Sequence, residues 1–368
     1  MAKRVYISEP QMAILLANSF TAPALFTYAR DLAEAAGRQA YWSLLLAALV
    51  SVIPLLCLIR LAVLFPGKTA FEYVPLLFGK VLGSFSIVWS CLLYPGFVGL
   101  TLNQFGNLVN TTFLPRTPMH ATIFLMLAAA VFIAWHGLEG MVRFVSLVYP
   151  VMLGLLVVTF LVGIYRVTET DALLPPVLFD PPTVTRGAWS ILYAFVGVES
   201  TSTLIACVKA PKHPYRYGFT ALGVNFSLLT LILVITLGIW GVVPAAQVTY
   251  PGAVTLRTLR LSGLLVERIG GFVAITWTML ELTFVTTQLL EFARGIATAV
   301  GAGPERYRYF LIPLSLYMLA MARLPGNPRE LEMMITRVVT PMTAGTWLLL
   351  VPLLLVLGLI RKRRNAAS

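Results

Sequence analysis

The sequence predicts an all-α integral membrane protein of about ten transmembrane helices, laid out as two halves of five, and three observations predict it. The chain has 368 residues, of which 58% are hydrophobic and 11% charged, where a soluble domain carries about 25% charged residues. Apolar runs of spanning length recur along it, each bounded by charge or by Pro and Gly. The first and the sixth of these runs carry polar, helix-breaking clusters, which places the interruptions at corresponding points of the two halves.

The first half, residues 8–165, holds runs at Gln11 to Ala33, Tyr41 to Leu64, Val81 to Leu102, Ala121 to Trp135 and Phe144 to Ile164. A polar, Pro-rich stretch from Arg166 to Arg186 separates it from the second half, residues 188–360. That half holds Ala188 to Val208, Phe219 to Val243, Phe272 to Phe292, Tyr309 to Ala322 and Val338 to Ile360. The fourth and ninth runs are short for a span, so their helices must borrow flanking residues or lie deep among neighbours. Residues 361–368 form a basic tail, and residues 1–368 read as a single transmembrane domain.

Ser8 followed by Gln11, with Pro10 in the first turn, reads as a capping box that starts the first membrane helix near residue 9. Phe65 through Gly83 reads as a short interfacial helix with Phe71, Val74, Leu76, Leu77 and Phe78 on its apolar side. Gly252 to Gly271 alternates leucines with Arg257, Arg260 and Arg268, the pattern of a helix lying on the outer face of the bundle.

The net charge of +12, from 27 Lys and Arg against 15 Asp and Glu, needs no nucleic-acid partner, because cytoplasmic loops of membrane proteins retain basic residues. Placing both termini in the cytoplasm puts Lys3, Arg4, Arg60, Lys68, Lys80, Arg143 and the Arg361 to Arg364 tail inside, and leaves fewer basic residues, Arg30 and Arg38 among them, outside. Cys57, Cys91 and Cys207 lie in apolar runs and read as buried small hydrophobes. No cleavable signal peptide is expected, because the first apolar stretch starts late and continues past Asn18 and Ser19.

At membrane depth every backbone group must be satisfied, so polar and helix-breaking clusters mark the places where function resides. One is Asn18, Ser19, Phe20, Thr21, Ala22, Pro23 and Ala24, where Pro23 removes a donor and crowds the preceding turn. The other runs from Gly197 through Glu199, Ser200 and Thr201 to Thr203, with a carboxylate near mid-run. The ligand-binding set expected from them is Asn18, Ser19, Thr21, Ala22, Pro23, Phe195, Gly197, Glu199, Ser200 and Thr201. A pair of interrupted helices offers N–H groups to an anionic group and freed carbonyls to an ammonium. The plainer alternatives are Ser and Thr bonding back to i−4 carbonyls, a Pro that only kinks, and a Glu199 that hydrogen-bonds the loose backbone of a broken helix.

Glu281, followed by Thr283, Thr287 and Gln288, is a second intramembrane acid, and Glu199 and Glu281 are the candidate coupling or buried acids. Glu291 and Arg294 read as a solvated helix end. His120, His136 and His213 sit far apart in loops or at helix ends, so the sequence predicts no metal site, and it predicts no cofactor. Asn110, Thr111 and Thr112 fit a glycosylation sequon and read as a polar helix end. Phosphate-binding Gly loops, nucleophile elbows and metal-ligand spacings are absent from the sequence, which excludes the common enzyme classes.

The chain resembles the B-subunit family of spore germination receptors, a branch of the amino acid–polyamine–organocation transporter superfamily. The resemblance is carried by Ile7, Ser8 and Gln11 before the first span, and by Arg30, Asp31, Leu32, Ala33, Glu34 and Gly37 with Tyr41 and Trp42 after it. It continues through Phe65-Pro66, Glu72-Tyr73, Gly79-Lys80, Leu114-Pro115, Thr117-Pro118, Tyr250-Pro251, Glu267-Arg268 and Trp277. Phe195, Gly197 and Glu199 are similar to the superfamily's broken-helix motif. The family usually shows Gly-x-Gly and then Pro along the first helix, whereas this chain has Ala22-Pro23-Ala24 and Ala29. The resemblance implies a 5+5 inverted repeat of the LeuT type with helices 1 and 6 broken, and residence in the inner membrane of a spore. It also implies recognition of a small nutrient such as an amino acid, and partners in an A-type and a C-type subunit. Two functions stay open at this point, a ligand-sensing receptor subunit and a self-sufficient secondary transporter of amino acids or amines.

Overall fold

A computed structural model describes residues 6–21, 27–165, 167–169, 171, 179–209, 211–258 and 270–367. The described residues are helical almost throughout. The first span is built from two helices, α1 (Glu9–Thr21) and α2 (Tyr28–Ala36). The capping box starts α1 as expected: Ser8 N–H donates to Gln11 Oε1 at 2.9 Å and Gln11 N–H to Ser8 Oγ at 3.4 Å. Gly37, at φ +55°, turns the chain into α3 (Ala40–Leu64).

The expected interfacial helix is fused to the third span. α4 runs Ala70–Thr112 with a kink at Gly79, whose φ of 77° and ψ of 178° interrupt the helix. Thr69 and Glu72 cap its start, the Thr69 N–H lying 2.8 Å from Glu72 Oε2, and Phe71 and Val74 are buried against the bundle. Two turns of interfacial helix thus become a packed extension of the span, because their apolar side meets protein.

α5 (Met119–Trp135) is 17 residues long, about 26 Å at 1.5 Å per residue, and borrows Met119 and His120 to reach that length. α6 spans Gly137–Ile164, seven residues longer at its start than its apolar run. Between the halves, α7 (Pro181–Ser190) occupies part of the stretch that reads as a polar linker. Pro181 and Pro182 sit in its first turn, where a missing N–H costs nothing.

The sixth span continues through a tight turn of helix at Leu192–Phe195 and an interruption, and then α8 (Ser200–Ala206). α9 (Pro214–Trp240), α10 (Val242–Gln247) and α11 (Pro251–Thr258) follow. The rest of the expected outer-face helix lies outside the described residues. α12 (Gly270–Ala299) and α13 (Arg308–Arg323) form the eighth and ninth spans. The last span begins as α14 (Pro328–Met334), passes through π-helical turns at Ile335–Val339 and Thr346–Leu350 on either side of α15 (Thr340–Gly345), and ends as α16 (Val351–Ala367).

Five stretches are long and apolar enough to cross a membrane by length and composition, at Tyr28–Leu64, Ala70–Thr112, Gly137–Ile164, Pro214–Trp240 and Pro328–Arg364. Of the others, the first and sixth spans are interrupted, α5 and α13 are short, and α12, 30 residues long, carries the buried Glu281, Thr283, Thr287 and Gln288. Cys57, Cys91 and Cys207 form no disulfide among the described residues and are half-buried, less enclosed than their apolar surroundings predict.

Candidate ligand-binding site

The two interrupted spans lie against each other in opposite directions. At one end Ile7 N–H donates to the Cys207 carbonyl at 2.9 Å, pairing the entry to α1 with the exit of α8. At the other, Tyr193, just before the second interruption, donates to Asp31 Oδ2 at 2.7 Å and meets Thr27 Oγ1 at 2.9 Å. Between these ends the second interruption meets the last turns of α1. Gly197 adopts φ +118°, and a Cβ there would lie 2.1 Å from the Ser19 carbonyl oxygen. Only glycine satisfies both the dihedral and the approach.

Glu199 stands at the start of α8, and both of its carboxylate oxygens accept the Gly197 N–H, at 3.0 and 2.9 Å. The carboxylate therefore clamps the loose backbone of its own break, the plainer of its two sequence readings. Its side chain lines a cavity of about 80 Å³ together with Tyr73, Ser90, Tyr94, Ser202 and Trp347. That cavity is lined by α3, α4, α8 and the last span and by no residue of α1. Gly197 thus faces Ser19, while Glu199 borders this separate cavity with Gln288 of α12 also beside its carboxylate.

α12 gathers the remaining polar groups. Thr283 Oγ1 donates to Asn18 Oδ1 at 2.6 Å, and Asn18 Nδ2 reaches Thr287 Oγ1 at 3.5 Å. Ser200 Oγ donates to Gln288 Oε1 at 3.3 Å, and Thr101 Oγ1 to Glu281 Oε1 at 3.0 Å. The i, i+4 and i+5 spacing of 283, 287 and 288 puts these groups on the turns that face α1 and α8. Glu281 is fully buried, and its Oε2 has no hydrogen-bond partner among the described residues. The Thr201 hydroxyl is equally buried and equally without one.

Ser19 and Thr21 hydroxyls donate back to the Leu15 and Ala17 carbonyls, at 3.0 and 2.7 Å, as ordinary membrane-helix residues do. Thr21 also meets Tyr149 OH at 3.0 Å. Phe195 is fully buried. Ala22 and Pro23 lie outside the described residues. Glu291 is a correction. It is 7% exposed, not solvated, and with Arg294, Thr203 and Thr287 it lines a cavity of about 60 Å³ between α12, α8 and the start of α4. Its place near the end of an apolar run suggested solvent, but α4 and α8 cover that end.

A second polar network escaped the sequence reading. Arg30, expected on a solvated outer face, is 9% exposed. Its Nη2 bonds Asp31 Oδ1 at 2.8 Å and Glu332 Oε2 at 3.0 Å. Asp31 is held in turn by Tyr193, and Gln104 Nε2 donates to Thr27 Oγ1 at 2.8 Å. The network joins α2, the turn before the second interruption, α4 and α14. Its signal in the sequence was the Arg30-Asp31 pair at the end of an apolar run, but Glu332 lies 302 residues away and nothing local identifies it.

Interrupted helices packed head to tail within an all-helical membrane bundle define a protein of the LeuT-type transporter fold. The overall comparison agrees: a Na+-coupled sialic acid symporter, in a substrate-bound outward-open state, superposes with a TM-score of 0.66 at 13% identity, covering 93% of this chain and 78% of that one. The family model described as "Spore germination protein" matches residues 6–328, and the chain belongs to that family. It is 26% identical to spore germination protein YndE of Bacillus subtilis (strain 168) over 332 residues, 88% of each chain. It is 24% identical to spore germination protein B2 of the same strain over 278 residues, 73% of each. To spore germination protein A2 it is 22% identical over 266 residues, 72% of each.

Proposed function

We propose that the chain is the membrane subunit of a nutrient germinant receptor, and that it binds a small nutrient of the amino acid class where the two interrupted spans meet. The observation that carries this reading is the approach of Gly197 to the Ser19 carbonyl, which sets the second interruption against the last turns of α1, where Pro23, four residues past Ser19, has no N–H to offer that carbonyl. Asn18, one residue before Ser19, and Ser200, three residues past Gly197, both bond α12, and the unpartnered Thr201 hydroxyl, Ala22 and Pro23 belong to the junction by sequence. Backbone carbonyls there suit an ammonium and N–H groups a carboxylate, so a zwitterion fits better than a sugar.

In this reading the protein acts with A-type and C-type subunits in the inner membrane of a spore. The described residues outside the spans are short connections, so a ligand-induced change leaves the bundle by movement of its helices against a partner. A ligand shifts such a bundle only by its differential affinity for two states. Both termini lie in the cytoplasm. Cysteine labelling at Lys3 and Asn365 in sealed vesicles tests this, and labelling of either position from outside would refute it.

The transporter reading rests on one observation of its own, the fully buried Glu281 with a single donor on its carboxyl. A group of that kind takes up a proton or a cation in coupled transport. The purified chain in proteoliposomes separates the two functions. A receptor subunit binds an amino acid without accumulating it along a proton or sodium gradient. Gradient-driven accumulation that Glu281→Gln abolishes, with no partner needed, would establish the transporter instead.

A further inference from the structure

A groove of about 580 Å³ runs between α4 and the last span, lined by Phe78, Leu82, Phe85, Trp89, Met342 and Leu353. It is apolar along its length, and Leu82, Phe85 and Leu353 are exposed on its rim. From Met342 to Leu353 the last span advances eleven residues, about 17 Å at 1.5 Å per residue. That is close to the depth of one leaflet of a hydrocarbon core about 30 Å thick. The π-helical turn at Thr346–Leu350 lies along this wall of the groove.

One end of the groove is strongly basic. Past Leu353 the helix continues into Arg361, Lys362, Arg363 and Arg364, all exposed. Arg361 Nη1 donates to the Leu76 carbonyl, which ties this basic end to the turn of α4 that carries Phe78. Lys80, also exposed, follows on the same helix between the groove residues Phe78 and Leu82. The sequence holds no Asp or Glu from Tyr73 to Leu138 and none after Glu332, so the stretches that line the groove carry no carboxylate, and Glu72, ahead of them on α4, caps Thr69.

We propose that this groove binds one anionic phospholipid, with an acyl chain along Phe85, Trp89 and Met342 and the phosphate at Lys80, Arg361 and Lys362. An apolar channel of leaflet depth that ends in unpaired cations at the membrane surface matches the two parts of such a lipid. A zwitterionic lipid fills the channel equally well but gains nothing at the basic end.

Native mass spectrometry of the delipidated full-length chain, titrated with phosphatidylglycerol or phosphatidylcholine, tests the site. Two variants divide it. Gly345→Phe fills the groove from a position where an added Cβ meets nothing within 4 Å. The combined Lys80→Ala, Arg361→Ala and Lys362→Ala chain removes the cations and leaves the groove open. The wild type retains one phosphatidylglycerol in preference to phosphatidylcholine. The basic variant loses about tenfold or more in affinity for phosphatidylglycerol only, and Gly345→Phe loses both lipids. Thermal unfolding confirms that both variants fold. Equal retention of the two lipids by the wild type, phosphatidylglycerol binding untouched by either variant, or displacement of the lipid by inorganic phosphate would each overturn the proposal.

Discussion

The Cβ that Gly197 lacks would stand 2.1 Å from the carbonyl oxygen of Ser19, so the second interruption is fitted to the end of α1 at one atom. Gly197→Ala therefore has to push the first span away from the sixth. Its φ of +118° adds backbone strain, of order 1–3 kcal/mol. The purified variant is expected to unfold at lower temperature than the wild type, and spores carrying it to lose their response to nutrient. An unchanged unfolding temperature would mean that the two spans are not in contact as described.

Glu199→Gln and Glu199→Ala separate charge from hydrogen bonding. Gln keeps an acceptor for the Gly197 N–H, whereas Ala leaves that N–H without one, at about 1–3 kcal/mol. The Gln variant should therefore retain most of the wild-type stability and the Ala variant should not, as read by denaturant or thermal unfolding in detergent. Equal stability of the two variants would refute the clamp.

Arg30 and Glu332 make an asymmetric pair. Arg30 and Asp31 are enclosed, with side chains 10% and 6% exposed, while Glu332 is 33% exposed. Arg30→Ala leaves the Asp31 carboxylate buried without its cation and is expected to cost about 3–5 kcal/mol. Glu332→Gln, on the wetter side, is expected to cost less than about 1 kcal/mol. A double-mutant cycle on unfolding checks the difference. Equal losses would show that the network is not organised around Asp31.

How much was legible beforehand divides along one physical line. Features that depend on neighbours in sequence were readable: the Ser8–Gln11 cap, most of the spans from their apolar runs, and the breaks from Pro23 and Gly197 in otherwise apolar segments. Features that depend on packing were not. Glu291 sits one turn from Arg294 and looks like a wet helix end until α4 and α8 close over it. Arg30 looks like a loop cation until Glu332 meets it. For Glu199 the sequence leaves both a ligand contact and a clamp on the break open, and the geometry decides for the clamp on the Gly197 N–H. The π-helical turns leave no periodicity strong enough to read, since an extra residue per turn is a small displacement in a uniformly apolar run.

The Thr201 hydroxyl gives the most direct test of ligand binding at the junction, because it is fully buried and has no partner among the described residues. Thr201→Val keeps its shape and removes only the hydroxyl, so folding should be unchanged or slightly improved. The measurement is equilibrium binding of radiolabelled amino acids to the wild type and to Thr201→Val in the same lipid nanodiscs. The account predicts saturable binding to the wild type and an affinity about 3- to 10-fold weaker in the variant, the loss of one hydrogen bond. Equal affinity in the two proteins, or no saturable binding of any amino acid to the wild type, would contradict it.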